Sequence, residues 1–72
     1  MVKEGQTYRH FKGDLVKVLM LATDSETLEE LVVYEHKDKI WARPLKMFVS
    51  KVDREKYPEC KQEYRFKLIH DR

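Results

Sequence analysis

Cysteine, glycine and proline are all scarce in this chain. A single cysteine, Cys60, leaves no partner for an internal disulfide, and that usage fits a reducing compartment. Two glycines, Gly5 and Gly13, are too few for a glycine-rich phosphate cradle. No apolar run approaches the roughly 18 residues of a membrane span. The opening stretch MVKEGQTYRH has none of the apolar core of a secretory signal. The expectation is a cytoplasmic protein that does not enter a membrane. His10, His36, His70 and Cys60 lack any recognisable ligand spacing, so neither a metal nor another cofactor is expected. No nucleophile elbow, oxyanion motif or telling pair of carboxylates is present, so no catalytic residue is assigned and the balance leans away from an enzyme.

What is present describes a small folded domain with a heavily charged surface. The 72 residues are 42% hydrophobic and 39% charged, too apolar for a disordered tail. They make a single domain, residues 1–72. At this size net stability should be on the order of 5 kcal/mol, and a ligand site is expected to be a shallow groove or loop-lined cleft. The net charge of +2 hides a run from Thr23 to His36 that carries five acids and no lysine or arginine. Most of that charge reads as a solvated surface pairing with its own basic neighbours.

Taken in order, Met1 to Gln6 reads as a loose lead-in and Thr7–Phe11 as a first strand, with turn chemistry at Lys12-Gly13-Asp14. Leu15–Ala22 is almost unbroken apolar sequence. Strict alternation puts Val16, Val18, Met20 and Ala22 on one face, with Leu15, Leu19 and Leu21 on the other, so both faces call for cover. Thr23–Thr27 has cap and turn residues. Capping-box spacing at Thr23/Glu26 and Thr27/Glu30 admits a helix over 27–35, but Val32-Val33-Tyr34 favours a strand over Glu29–Glu35. Lys37-Asp38-Lys39 is a short polar break without the Asn-Gly of a tight primed turn. Ile40–Arg43 is the return strand, ended or edged by Pro44, and Leu45–Phe48 is one helical turn. Phe48–Val52 is a further short strand and Asp53–Gln62 a surface loop. Tyr64–Ile69 is the last strand, ahead of a frayed His70-Asp71-Arg72. The whole suits a mainly β fold, a small, partly open SH3-like barrel of five or six short strands with one helical turn.

Three blocks in order, YRHFKGDLVKVL, SETLEELVVY and WARPLKMF, resemble the DUF1653 family over roughly Tyr8 to Val52. The resemblance implies a compact, mostly β, SH3-like bacterial domain, and it implies no activity, because the family is one of unknown function. Its blocks fall on Tyr8, Arg9, His10, Phe11, Lys12 and Gly13, on Ser25, Glu26, Thr27, Glu29, Val32 and Tyr34, and on Trp41, Arg43, Pro44, Met47 and Phe48. The sequence departs from the family in a shorter HKDK hairpin, and at Val16 and Ala42, where tyrosine and valine are expected.

Tyr8, Arg9, His10, Ser25, Glu26, Thr27, Tyr34, Trp41 and Arg43 are the candidate ligand-binding residues. Arg43 suits a carboxylate or phosphate held in bidentate fashion. Ser25 and Thr27 suit donors to the same anion, and Trp41 or Tyr34 a flat apolar wall. The plainer readings are that Ser25-Glu26-Thr27 builds a turn with Glu26 paired to Arg9 or Arg43, that Trp41 and Phe48 are core, and that His10 is structural. Three functions follow. The first is a non-enzymatic binding module for a peptide, a partner protein or a small anionic ligand. The second is a nucleic-acid binder using Lys12, Lys17, Arg43, Lys46, Lys51, Arg65 and Lys67. The third is a small hydrolase or lyase using His10 and Glu26. A monomer or weak homodimer is expected, since Arg65 and Lys67 discourage edge pairing of the last strand.

Overall fold

The computed structural model describes residues 1–72. Five strands form one antiparallel sheet: β1 (Thr7–His10), β2 (Leu15–Thr23), β3 (Glu30–His36), β4 (Lys39–Pro44) and β5 (Phe66–His70), with a single helical turn, α1 (Leu45–Phe48), between β4 and β5. The order across the sheet is β4-β3-β2-β1-β5. β4 and β5 remain edges, so the fold is mainly β and open, without the closure that would cover both faces of β2. No helix is long and apolar enough to cross a membrane.

Alternating residues of adjacent strands build the core. Tyr8, Val16, Val18, Val32, Tyr34 and Phe66 face inward and pack with Val2 and with Phe48 of α1. Phe48 is 1% exposed. Its ring stacks on Phe66 at 4.1 Å and meets Tyr8 edge-on at 5.1 Å, the latter a geometry that aromatic quadrupoles prefer. Pro44 at the end of β4 supplies a fixed φ of −53° ahead of the helical turn, and Leu45 packs partly against the same cluster.

The sheet departs from strict alternation at one place. β2 pairs Val18 with Tyr34 and then Met20 with Val33, so Leu19 is an extra residue in a bulge. Beyond it the phase reverses: Leu21, opposite Val32, shares the core face, while Met20 and Ala22 turn away. The expected grouping of Met20 and Ala22 with Val16 and Val18 is therefore corrected. One inserted residue flips every later side chain.

Residues 27–35 resolve as turn followed by strand, not helix. Lys37 and Asp38 are a two-residue turn between paired His36 and Lys39, and both adopt positive φ, 51° and 63°. That is the primed geometry suited to a twisted hairpin, reached without Asn-Gly. The expected strand over Phe48–Val52 reduces to one bridge, Lys51 to Tyr64.

Val2–Gln6 is not loose, although Met1 is fully exposed, and Asp71 helps to tie the segment down. Gln6 is 3% exposed. Its Oε1 accepts from the Tyr8 hydroxyl (2.9 Å) and the Lys3 N–H (2.7 Å), and its Nε2 donates to Asp71 (2.8 Å). A buried amide whose donors and acceptors are matched costs little, so it can clip both termini to β1.

Candidate functional site

The core face is not fully covered at the end of the sheet where β1, the start of β2, the end of β3 and the start of β4 meet. Directly opposed residues of an antiparallel pair share a face, so Trp41 opposite Tyr34, and Arg43 opposite Val32, both project to the core side from β4. Trp41 stays 46% exposed there. The result is a cleft of about 270 Å³ walled by Val16, Tyr34, Trp41 and Phe66 and carrying His10, Lys12, Asp14, His36 and Arg43.

The β1–β2 turn sets one rim. Gly13, at φ 106°, donates its N–H to the His10 carbonyl (2.7 Å), and His10 donates its own to the Asp14 carbonyl (2.7 Å). Lys12 N–H then donates to His10 Nδ1 at 3.1 Å. That bond makes Nδ1 an acceptor, so the neutral ring carries its proton on Nε2. Burial, followed by the Arg43 and Lys12 charges, lowers the His10 pKa below its ordinary 6.5.

The β3–β4 hairpin sets the other rim. Asp14 lies 3.0 Å from His36 Nε2 and 3.7 Å from the Lys37 ammonium. The His36 hydrogen bond lowers the Asp14 pKa first, with Lys37 adding to it. Asp14 is therefore an ionised acceptor, and His36 Nε2 is the donor. Trp41 Nε1–H donates to the His36 carbonyl at 3.2 Å, which pins the indole across the hairpin.

Arg43 is half-buried, with its guanidinium carbon 5.7 Å from the centre of the Phe66 ring. It takes part in none of the three ion pairs, which join Asp14 to His36 and Lys37, and Glu29 to Lys46. A second hollow, also about 270 Å³, opens on the other side of His10, Lys12 and Arg43 and adds Phe11, Asp53, Lys56, Tyr57 and Arg65.

Of the candidates read from sequence, His10, Tyr34, Trp41 and Arg43 converge here. Tyr8 is buried beside Gln6, and Arg9 points to the opposite side of β1 from Tyr8 and His10. Ser25, Glu26 and Thr27 lie in the β2–β3 turn, at the far end of β2 from His10. The nine steps from Asp14 to Thr23 place them roughly 25–30 Å away along the strand. Glu26 forms no ion pair, so neither a His10–Glu26 pair nor a rim joining that turn to Arg43 exists. The turn is explained locally. Asp24 Oδ1 accepts the N–H groups of Glu26 (2.9 Å) and Thr27 (3.1 Å), and Thr27 Oγ1 accepts that of Glu29 (3.2 Å), an Asx-turn arrangement. Those backbone donors lower the Asp24 pKa.

Asp14 and His36 are the site residues that sequence reasoning missed, and Lys12 was placed only among general cations. Their signal was the hairpin register: Lys17 faces Glu35 across β2 and β3, which brings the residues just beyond that pair together. The cations proposed for nucleic acid do not all share one surface. Lys46 is paired with Glu29 at 2.7 Å, Lys17 opposes Glu35 on the outer face, and Lys67 opposes Arg9, whereas Lys12, Arg43 and Arg65 gather around the second hollow. No group of three or more His, Cys, Asp or Glu side chains is placed to hold a metal ion.

No curated protein and no solved structure matches the chain. Residues 6–68 match a family described as a protein of unknown function, DUF1653, and the chain belongs to that family.

Proposed function

We propose that this protein is a small binding module whose ligand is a small anion, seated in the cleft between the β1–β2 turn and the β3–β4 hairpin. The observation that carries this reading is Arg43. A half-buried guanidinium without a carboxylate partner, packed on an aromatic ring and beside Lys12, is a charge whose counter-ion the fold does not supply. Desolvation makes such a group costly unless something pairs with it, and a planar fork of donors suits a carboxylate or phosphate. The cleft is small and loop-rimmed, with apolar walls and a few convergent polar groups, which is how small-molecule sites are built. Recognition in this reading is by charge and shape, through the Arg43 and Lys12 cations and the aromatic walls. The single cysteine supports a cytoplasmic setting. The strand order, with a helical turn ahead of the last strand, supports reading the sheet as a partly open SH3-like barrel.

The test is a titration of the isotope-labelled protein with inorganic phosphate, sulfate and citrate, followed by amide NMR. Shifts should centre on His10, Lys12, Trp41 and Arg43, and Arg43→Met should weaken binding about 10- to 100-fold, as expected for a charge-assisted hydrogen-bonded pair. Shifts centred on the Asp24–Glu29 turn, or unchanged affinity in Arg43→Met, would refute the reading.

A further inference from the structure

The two hollows that share His10, Lys12 and Arg43 differ in chemistry, and that difference specifies the ligand further. On one side the walls are Tyr34, Trp41 and Phe66, with the indole half-exposed and its ring fixed by its bond to the His36 carbonyl. A flat, edge-polar group fits there, stacking on the indole with Asp14 and His36 beside it. On the other side Lys12, Arg43, Lys56 and Arg65 surround the second hollow against one carboxylate, Asp53. Its Oδ1 accepts the N–H groups of Glu55 (3.0 Å) and Lys56 (3.4 Å), so a single negative charge stands against four cations.

None of these four cations enters an ion pair, although Asp and Glu are plentiful in the chain. Lys12 and Lys56 instead hold their ammonium groups 5.4 and 5.7 Å from the centre of the Tyr57 ring. The Arg65 Nε is buried without a hydrogen-bond partner, while its backbone groups are all bonded. Arg65 N–H donates to the Ser50 carbonyl (3.0 Å), while its own carbonyl accepts from Phe11 N–H (2.8 Å) and Gln62 Nε2 (3.3 Å). Gathering unpaired like charges around one hollow opposes folding, so the arrangement fits a site completed by an acceptor-rich dianion. A carboxylate has one charge and two oxygens. A phosphate monoester carries close to two charges and three terminal oxygens, a closer match to two guanidinium forks and two ammonium groups.

We propose that the ligand is a nucleoside monophosphate, with its base against Trp41 and its phosphate among Lys12, Arg43, Lys56 and Arg65. This rests on the Arg43 anion reading above, but it places the anion on the Lys56–Arg65 side of Arg43 and gives the Trp41 cleft to the ring; it therefore requires that the phosphate engage Lys56 and Arg65 and that the ring contribute affinity of its own.

The experiment titrates the full chain with the four common nucleoside 5′-monophosphates, the matching nucleosides, inorganic phosphate and succinate, following amide and arginine Nε resonances together with binding isotherms. At least one monophosphate should bind tenfold or more tightly than both its nucleoside and inorganic phosphate. It should shift Trp41 and His36 together with Lys56 and the Arg65 Nε. Arg65→Met should lose tenfold or more for the monophosphate while leaving nucleoside shifts at Trp41 unchanged, and the mapping on the unaltered protein stands even where that variant folds poorly. Phosphate shifts that leave Lys56 and Arg65 untouched, succinate binding as tightly as the nucleotide, or a nucleotide binding no better than phosphate would each overturn the nucleotide assignment while leaving the anion site standing. Silence at His10, Lys12 and Arg43 with every anion would overturn both.

Discussion

Leu28 sits in the left-handed region, at φ 63°, and is 74% exposed. Its N–H donates to the Asp24 carbonyl at 2.9 Å, closing the turn between β2 and β3, so the conformation is imposed by the turn and not by anything Leu28 packs against. A residue with a Cβ pays roughly 1–2 kcal/mol for this conformation, whereas glycine adopts it freely but is more costly than alanine to order elsewhere, by about 0.5–1 kcal/mol. Comparing Leu28→Gly with Leu28→Ala removes the leucine's small packing contribution from both sides. The glycine variant should then be the more stable by about 1 kcal/mol, the reverse of the order found at ordinary positions. For a domain this small the urea dependence is about 1 kcal/mol per molar, so the two unfolding midpoints, read by far-ultraviolet circular dichroism, should differ by about 1 M. An alanine variant as stable as the glycine variant, or more so, would refute the argument that this turn holds residue 28 in a strained conformation.

The other two predictions concern the core and the cleft. Phe48→Ala should cost about 3–5 kcal/mol, as for other buried aromatic truncations, which is most of the stability of a domain this size; an unfolding midpoint within 1 M urea of the parent would show that α1 is not part of the core. His10 should titrate below 6.5 by proton-detected NMR, because burial and then the Arg43 and Lys12 charges disfavour its imidazolium, partly offset by Asp14 and reinforced by His36. The unfolded chain then binds more protons between the folded value and 6.5, so this contribution to stability is full above 6.5 and is lost as pH falls through that window. Arg43→Met should move the titration upward, and an unchanged midpoint would show that the guanidinium does not act on His10.

Much of this molecule was legible from its residues. Val32-Val33-Tyr34 overrode the helix-capping pattern at Thr27–Glu30, since β-branched and aromatic residues in succession suit a half-buried sheet better than a short helix. Pro44 and the spacing of Leu45 and Phe48 marked the single helical turn. Ser25-Glu26-Thr27 and Arg43 were the residues least explained by packing, and of these only Arg43 lies in the cleft, where it meets the further candidates His10, Tyr34 and Trp41. The Leu19 bulge was not legible, because an extra residue leaves no mark in an unbroken apolar run. Nor was the docking of Val2–Gln6, which depends on Gln6 reaching Asp71 across 65 residues.

Near-neighbour chemistry was enough to place the five strands of the sheet and the connections between them, though not to exclude the strand expected over Phe48–Val52, because alternation, β-branching, and carboxylates and hydroxyls accepting backbone N–H groups two or three residues on are all local interactions. Only the tertiary structure decided which polar residues form the site. Ser25, Glu26 and Thr27 fell away because β2 carries them to the opposite end of the sheet. Asp14 and His36 came in because strand register and two turns bring distant segments to one opening. A shared cleft is a property of how strands are paired, and pairing joins residues whose separation along the chain carries no signal of their contact.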